Sequence, residues 1–219
     1  SLTHSELLER VGTEKEESRQ FRINDTDLKE EDMLLLNDVI DYIDDGVDRR
    51  YKRLGMSADK GNRTKKRLIS FRVLESTVVA VGRTRKVILR LTTGAKKALG
   101  VETIGVVREG IEHEFWKRSY AQKLLKLGYE VEVEARRRNG SVDIVGTRGD
   151  ESVAIEIETG KSDVLWNVKQ DLLTGIKKIV IVATNRSAKE QVERSLAKAG
   201  LLIPGRLIHL LGNSKESLD

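Results

Sequence analysis

Residues 179–183 read Ile-Val-Ile-Val-Ala, a run with no polar member. A strand of that kind is buried on both faces, which requires a sheet with helices packed on either side. That requirement guides how the surrounding segments are read. Upstream, Glu112–Leu127 places Phe115, Trp116, Tyr120, Leu124 and Leu127 on a broad apolar helical face, and Gly128 ends it. Tyr129–Arg136 alternates, with Tyr129, Val131, Val133 and Ala135 against Glu130, Glu132 and Glu134, and the glutamates read as a solvated face. Two more strands fit Ser141–Thr147 and Ser152–Thr159, separated by the turn Arg148-Gly149-Asp150. Ser162 is the expected cap of a helix through Thr174 and Ser187 that of a helix over Ala188–Ala199, with Leu207–Leu211 as a last strand. The order α-β-β-β-α-β-α-β describes an α/β domain with a mixed central sheet over residues 108–213, followed by a tail at 214–219.

The first half has another character. Residues 49–97 hold 16 Lys/Arg against two acids, Asp59 and Glu75, whereas residues 1–48 hold 5 basic and 15 acidic residues. The overall charge of +5 hides this asymmetry. So basic a block on a small domain is the electrostatic footprint of a polyanion binder. Residues 1–31 read as an acidic linker or partly ordered segment with a helical hint at Ser5–Val11. Over 32–46, Met33, Leu36, Val39, Ile40 and Ile43 recur at helical spacing, and Gly46 stops them. A second helix fits Val47–Leu54, ended by Gly55. Ser57 caps a third through Phe71, with Thr64, Leu68 and Phe71 on one side and Arg63, Lys65, Lys66 and Arg67 crowding the other. Two β-runs, Val73–Val81 and Lys86–Thr92, flank Gly82-Arg83-Thr84-Arg85, a hairpin with a basic tip.

Three helices and a hairpin over residues 32–102 resemble the winged-helix domains of archaea and bacteria. The resemblance implies DNA binding. Its third helix, with Lys60, Arg63, Lys65, Lys66 and Arg67, would enter the major groove, and its wing, with Arg83, Arg85 and Lys86, would touch the flanking backbone. Such side chains contact mostly phosphates, which position without specifying sequence. The same module also serves protein contacts.

Two segments of the second half carry candidate chemistry: Gly140-Ser141-Val142-Asp143-Ile144-Val145-Gly146 and Ala154-Ile155-Glu156-Ile157-Glu158-Thr159-Gly160-Lys161-Ser162. Residues i and i+2 of a strand share a face, so Glu156 and Glu158 point the same way, and the usual register brings Asp143 to them. Clustered carboxylates repel unless a cation or a proton intervenes. A divalent cation on oxygen ligands is what phosphodiester hydrolysis uses to activate water and neutralise the leaving oxygen. With these motifs, the span 111–185 resembles the restriction-endonuclease-like PD-(D/E)XK superfamily, whose core is αβββαβ. It is similar to the nuclease domains of archaeal Holliday-junction resolvases, and more so to domains appended to archaeal DNA-translocating ATPases, where a winged helix precedes this domain. The resemblance implies Mg²⁺ or Mn²⁺ held by Asp143 and Glu156, with the Ile157 carbonyl as a further ligand. Glu158 stands where the pattern usually has lysine, as in some restriction enzymes of the superfamily, and Lys161 is placed to supply the missing charge. Glu114, with Glu112 nearly as well placed, matches an extra metal-site acid of the resolvase-like relatives, and Gln170 matches a site-lining glutamine.

Other chemistries are excluded or left with little material. There is no cysteine, so no disulfide and no thiolate metal site. His4, His113 and His209 are scattered, and His113 reads as a helix-surface residue. Gly160-Lys161-Ser162 is not a phosphate-binding loop, because Ile155 holds the place of its first glycine. Trp116 and Trp166 read as core residues, and aromatics at 4% give a single-strand stacking surface little to work with. No apolar run approaches the roughly 18 residues of a membrane span. The expectation is therefore a cytoplasmic, metal-dependent DNA endonuclease targeted by a winged helix. Two alternatives stay open: a catalytically inactive DNA-binding module of a larger DNA-translocating ATPase, and a winged-helix transcription regulator. DNA is the expected partner, with a second copy of the chain or an ATPase domain, on this chain or another, as further candidates.

Overall fold

The computed structural model describes residues 28–81, 84–101, 110–137, 140–176, 178–202 and 207–211. The helical hint at 5–11, Arg83 and the tail at 214–219 lie outside the described residues. Contacts divide the chain into two units, the first gathering the described residues of Ser1–Thr77 and Val87–Arg108, the second those of Val78–Lys86 and Glu109–Asp219.

Residues 28–101 run α1 (Glu30–Asp41), α2 (Val47–Arg53), α3 (Ala58–Ser70), β1 (Leu74–Val81), β2 (Thr84–Leu91) and α4 (Thr93–Ala98), all in the first unit except the hairpin residues Val78–Lys86. Strands β1 and β2 pair as a two-stranded sheet, and Gly46, ahead of α2, bridges antiparallel to Ile88 of β2. The core gathers Leu35, Leu36 and Val39 of α1, Val47 and Tyr51 of α2, Leu68 of α3, and Leu74, Leu89 and Leu91 of the hairpin. This corrects the face expected for α1: Met33, Ile40 and Ile43 are exposed, and the inward stripe is Asp32, Leu35, Leu36 and Val39. The stripe turns because Asp32 is drawn inward by Arg67, whose Nη2 donates to Oδ1 at 2.7 Å and Nε to Oδ2 at 2.9 Å. Ser57 caps α3 as expected, accepting from the Lys60 N–H at 3.2 Å. Phe71 is partly exposed, not inward, since α3 ends at Ser70 and the backbone turns at Arg72, where φ is 55°. Helix α4, unforeseen from spacing, is capped by Thr92, which accepts from the Ala95 N–H at 3.2 Å.

Arg50 of α2 is wholly buried. Its Nη1 donates to the Asp38 carbonyl and to Asp38 Oδ1, both at 2.7 Å, its Nη2 to the Tyr42 carbonyl at 2.5 Å and its Nε to the Asp45 carbonyl at 3.0 Å. The last carbonyls of a helix have no partner within it. Arg50 supplies partners at the end of α1, and Arg53 completes Asp38 with an Nε donation at 2.6 Å.

The second unit runs α5 (Ile111–Lys126), β3 (Glu130–Arg137), β4 (Gly140–Arg148), β5 (Glu151–Glu158), α6 (Val164–Leu173), β6 (Lys178–Ala183), α7 (Arg186–Lys198) and β7 (Leu207–Leu211). It is α/β with a mixed five-stranded sheet in the order β3-β4-β5-β6-β7. β3, β4 and β5 pair antiparallel, and β5, β6 and β7 pair parallel. The run Ile179–Ala183 is fully buried in β6, as its composition requires. Ala154, Ile179 and Ile181 pack with Val164 and Val168 of α6 and Val192 and Leu196 of α7. Helix α5 buries Phe115, Trp116, Tyr120 and Leu124, while Leu127 lies past its end and is exposed. β3 forms an edge of the sheet, with Glu130, Glu132 and Glu134 exposed. Two expected caps move. Asp163, not Ser162, caps α6, accepting from the Trp166 N–H at 3.1 Å, and Asn185, not Ser187, caps α7, accepting from the Ala188 N–H at 2.9 Å. Trp166 is about half exposed, not core, because it rides on the first turn of α6. Among the described residues no helix is long and apolar enough to cross a membrane.

Two consequences can be measured. A Cβ built on Gly61 of α3 would lie 2.6 Å from the Tyr51 ring carbons. Alanine normally improves a helix by about 1 kcal/mol over glycine, but forcing a methyl into a packed ring costs about 1–3 kcal/mol. Gly61→Ala is therefore expected to lower stability in urea denaturation, and a higher midpoint would refute the packing. Burial, reinforced by Asp48, pushes the Tyr51 phenol up to about 12. Its neutral form stabilises the fold in full below the ordinary phenol value of about 10, and that share is lost as pH rises through about 12. Between pH 9 and 12 the urea midpoint of the natural chain should fall more steeply than that of Tyr51→Phe. Parallel curves would show Tyr51 to be solvated.

Candidate functional site

The site begins where two hydrogen-bond ladders lapse. β3 and β4 pair at Val133↔Ile144 and again at Ala135↔Val142, and Glu134 between them adopts a left-handed backbone with φ of 54°. Such a conformation costs a non-glycine residue about 1–2 kcal/mol, and irregularities of this kind re-aim neighbouring side chains. Glu134 is held by the Lys117 Nζ at 2.9 Å. The β4–β5 ladder runs from Arg148↔Glu151 to Ile144↔Ile155, whereas β5 stays paired with β6 through Glu158↔Ala183. Asp143 stands in this fork. Its Oδ2 accepts the Ile157 N–H at 2.7 Å, replacing a ladder carbonyl, and lies 3.2 Å from His113 Nε2 of α5.

Glu156 and Glu158 share a face of β5, and they are buried against α6, 4% and 2% exposed. Asn167 and Asp171, one turn apart on α6, meet Glu158 and Glu156 respectively. Arg137, at the end of β3, holds the cluster together. Its Nη2 donates to Glu156 Oε1 at 2.5 Å and to the Ser141 carbonyl at 2.6 Å. Its Nη1 donates to the Asn167 carbonyl at 3.1 Å and to Asp171 Oδ1. Asp171 is wholly buried, and its Oδ2 has no hydrogen-bond partner among the described residues. Burial, together with repulsion from Asp143 and Asp171, pushes the Glu156 carboxyl up to about 9, against which Arg137 acts only in part. Asp171 is pushed up to about 6, chiefly by burial, with Arg137 again opposing. Burial also raises Glu158, opposed by the Ser162 hydroxyl that donates to it. Active sites gather carboxyls that resist ionisation in this way, and so do structural ion-pair networks.

Asp143, Glu156 and Glu158 thus meet at one end of the sheet, but the other expected residues do not join them equally. Lys161 is exposed and acts on Glu112, whose carboxyl is raised by burial and hydrogen-bonded by Thr184. Glu114 pairs with Arg118 at 2.9 Å. The α5 residue at Asp143 is His113, which corrects its expected place on the helix surface. The α6 residues at the carboxylates are Asn167 and Asp171, which bracket Gln170. Their i, i+4 spacing is the signal that would have found them; Arg137 offered none beyond closing a strand. Among the described residues no three His, Asp or Glu side chains are arranged to hold a metal ion. Arg137 takes Glu156 Oε1 and one oxygen of Asp171, and the Ile157 N–H takes Asp143 Oδ2. In this arrangement the residues do not fit Mg²⁺ or Mn²⁺.

Along α3, Lys60, Arg63 and Lys66 are exposed and Lys65 is half-buried, and on β2 Arg85 and Lys86 are exposed. Arg67 is instead engaged by Asp32 and Glu31. Arg50, Arg53 and Arg90 are likewise tied to acids, Arg90 to Glu75 at 2.8 Å.

No family model matches the chain, and no curated protein matches it. A solved structure, that of protein VC1899 from Vibrio cholerae, is similar over 80% of this chain at 12% sequence identity and a TM-score of 0.33. The chain spans 47% of that structure's length.

The Ser162 hydroxyl is a donor to a carboxyl with almost no solvent. Leaving a buried acceptor short of its donor costs about 1–3 kcal/mol. Ser162→Ala should lose that much in chemical denaturation while keeping its far-UV circular dichroism. A loss under about 0.5 kcal/mol would show the bond to be dispensable.

Proposed function

We propose that the chain is a DNA-binding protein in which a winged-helix domain brings a restriction-endonuclease-like domain to duplex DNA. The observation that carries this reading is the exposed cationic row Lys60, Arg63 and Lys66 on the third helix of a segment that runs as three helices and a hairpin. The antiparallel bridge from Gly46 to Ile88 supports it, because it gives the hairpin the short third partner of a winged helix. The exposed Arg85 and Lys86 support a wing that meets the backbone. Contacts of these residue types fall on phosphates, so binding is expected to be strongly salt-dependent and weakly selective for sequence. The α-β-β-β-α-β order of the second unit, with β5 paired to both an antiparallel and a parallel neighbour, supports the nuclease-like assignment.

A second reading, metal-dependent DNA cleavage, is favoured by the meeting of Asp143, Glu156 and Glu158 at the fork of β4 and β5. Asp143 and Glu156 are the residues that would hold Mg²⁺ or Mn²⁺. With Arg137 on Glu156, no hydrolytic step is assigned to the arrangement described above.

Lys66→Ala and Arg85→Ala are each expected to weaken binding to all duplexes alike and to reduce the salt slope by about one. An unchanged slope would take the third helix and the hairpin out of the interface. Arg67→Ala should act mainly through stability, because it removes the partner of the buried Asp32. Plasmid and branched DNA incubated with Mg²⁺ or Mn²⁺, beside Asp143→Ala, separate the two readings. Shifted but uncut DNA with both proteins favours binding alone. Nicking that depends on Asp143 establishes the second reading, and no shift even at low salt overturns both.

A further inference from the structure

Two buried arginines organise this molecule, and they differ in one respect. Arg50 donates to three backbone carbonyls and to Asp38, and that carboxylate has a second cation in Arg53. Arg137 sits among carboxyls that outnumber it: Glu156 and Asp171 in direct contact, Asp143 acting on both, and Glu158 beyond. Asp171 has no solvent exposure, and beside Arg137 it meets Glu156, a carboxyl that burial keeps from ionising. Taking carboxylates out of water without a cation or a proton between them is strongly unfavourable. Asp143, Glu156 and Asp171 are hard oxygen ligands of the kind that Mg²⁺ and Mn²⁺ select. Arg137 lies between two of the three. A guanidinium and a divalent ion cannot both use Glu156 Oε1 and Asp171 Oδ1.

We propose that Arg137 is the resident counter-ion of this pocket, closing Asp143, Glu156 and Asp171 to divalent cations until it is withdrawn or replaced. The inference rests on the nuclease-like reading of Asp143 and Glu156 for the choice of ion, and not on DNA binding by the first unit. Removal of the guanidinium frees one oxygen on Glu156 and one on Asp171. Lysine at the same place keeps a positive charge but lacks the fork that spans two carboxylates, so it closes the pocket less well.

The test is Mn²⁺ binding to the full chain, read from the loss of the free-ion electron paramagnetic resonance signal. The natural chain should bind weakly, and Arg137→Met should bind one ion roughly tenfold or more tightly. Asp143→Asn added to Arg137→Met should abolish the gain. Arg137→Lys keeps the experiment decisive if the methionine variant does not fold, with a smaller gain expected. The proposal is overturned if the natural chain already binds Mn²⁺ as tightly as the variants, or if folded Arg137→Lys and Arg137→Met bind no better than it does. Gel shifts on the same samples keep the two ideas apart: a natural chain that fails to shift DNA sinks the DNA-binding reading and leaves the Mn²⁺ comparison intact.

Discussion

Arg137 joins four elements of the second unit through one planar group. It leaves the end of β3, reaches the Ser141 carbonyl at the start of β4, Glu156 in β5, and the Asn167 carbonyl and Asp171 in α6. The carboxylates exist in a buried setting because this cation is there, and α6 lies over β5 with polar side chains facing inward because both sides of the fork are acidic. Removing one partner of such a buried pair costs about 3–5 kcal/mol, since it strands the other. The same geometry explains why Asp143 is drawn to a backbone N–H. With the ladders interrupted on both sides of β4, the Asp143 carboxylate accepts from the Ile157 N–H.

The basic block of the first unit has a double use. Arg50, Arg53, Arg67 and Arg90 are consumed by internal acids, so the block's formal charge overstates what faces a polyanion. What remains outward is a shorter row along α3 and the basic residues of β2. Arg67 pays for the burial of Asp32 and thereby sets which side of α1 faces the core, a role that charge counting does not separate from phosphate contact.

Much of the architecture was legible because apolar periodicity survives in long elements. The run at 179–183 announced a doubly covered strand, the alternation at 129–136 a strand with a solvated face, and Glu112–Leu127 a helix with a broad apolar face. Misreadings came where a polar group overrode the apolar pattern. Met33 and Ile40 fit the spacing of α1, but Asp32 turned that helix. Ser162 fits a cap, but its hydroxyl is taken by Glu158, and Asp163 caps instead. Within the candidate site, Asp143, Glu156 and Glu158 were visible as a spaced trio. Arg137, His113 and Asp171 were not, because their importance depends on which distant segment folds against them.

The outer strand of the sheet has a bearing on how the protein behaves at high concentration. β3 presents edge backbone and an exposed Val133, both invitations to strand addition by another molecule. Glu130, Glu132 and Glu134 stand along the same edge. An identical strand laid beside it would bring a row of like charges together without a counter-ion, which makes runaway zippering of copies unfavourable. The left-handed kink at Glu134 adds a geometric obstacle, because a regular strand cannot follow it. One irregular, acidic edge thus both breaks the β3–β4 ladder opposite Asp143 and guards the chain against aggregation.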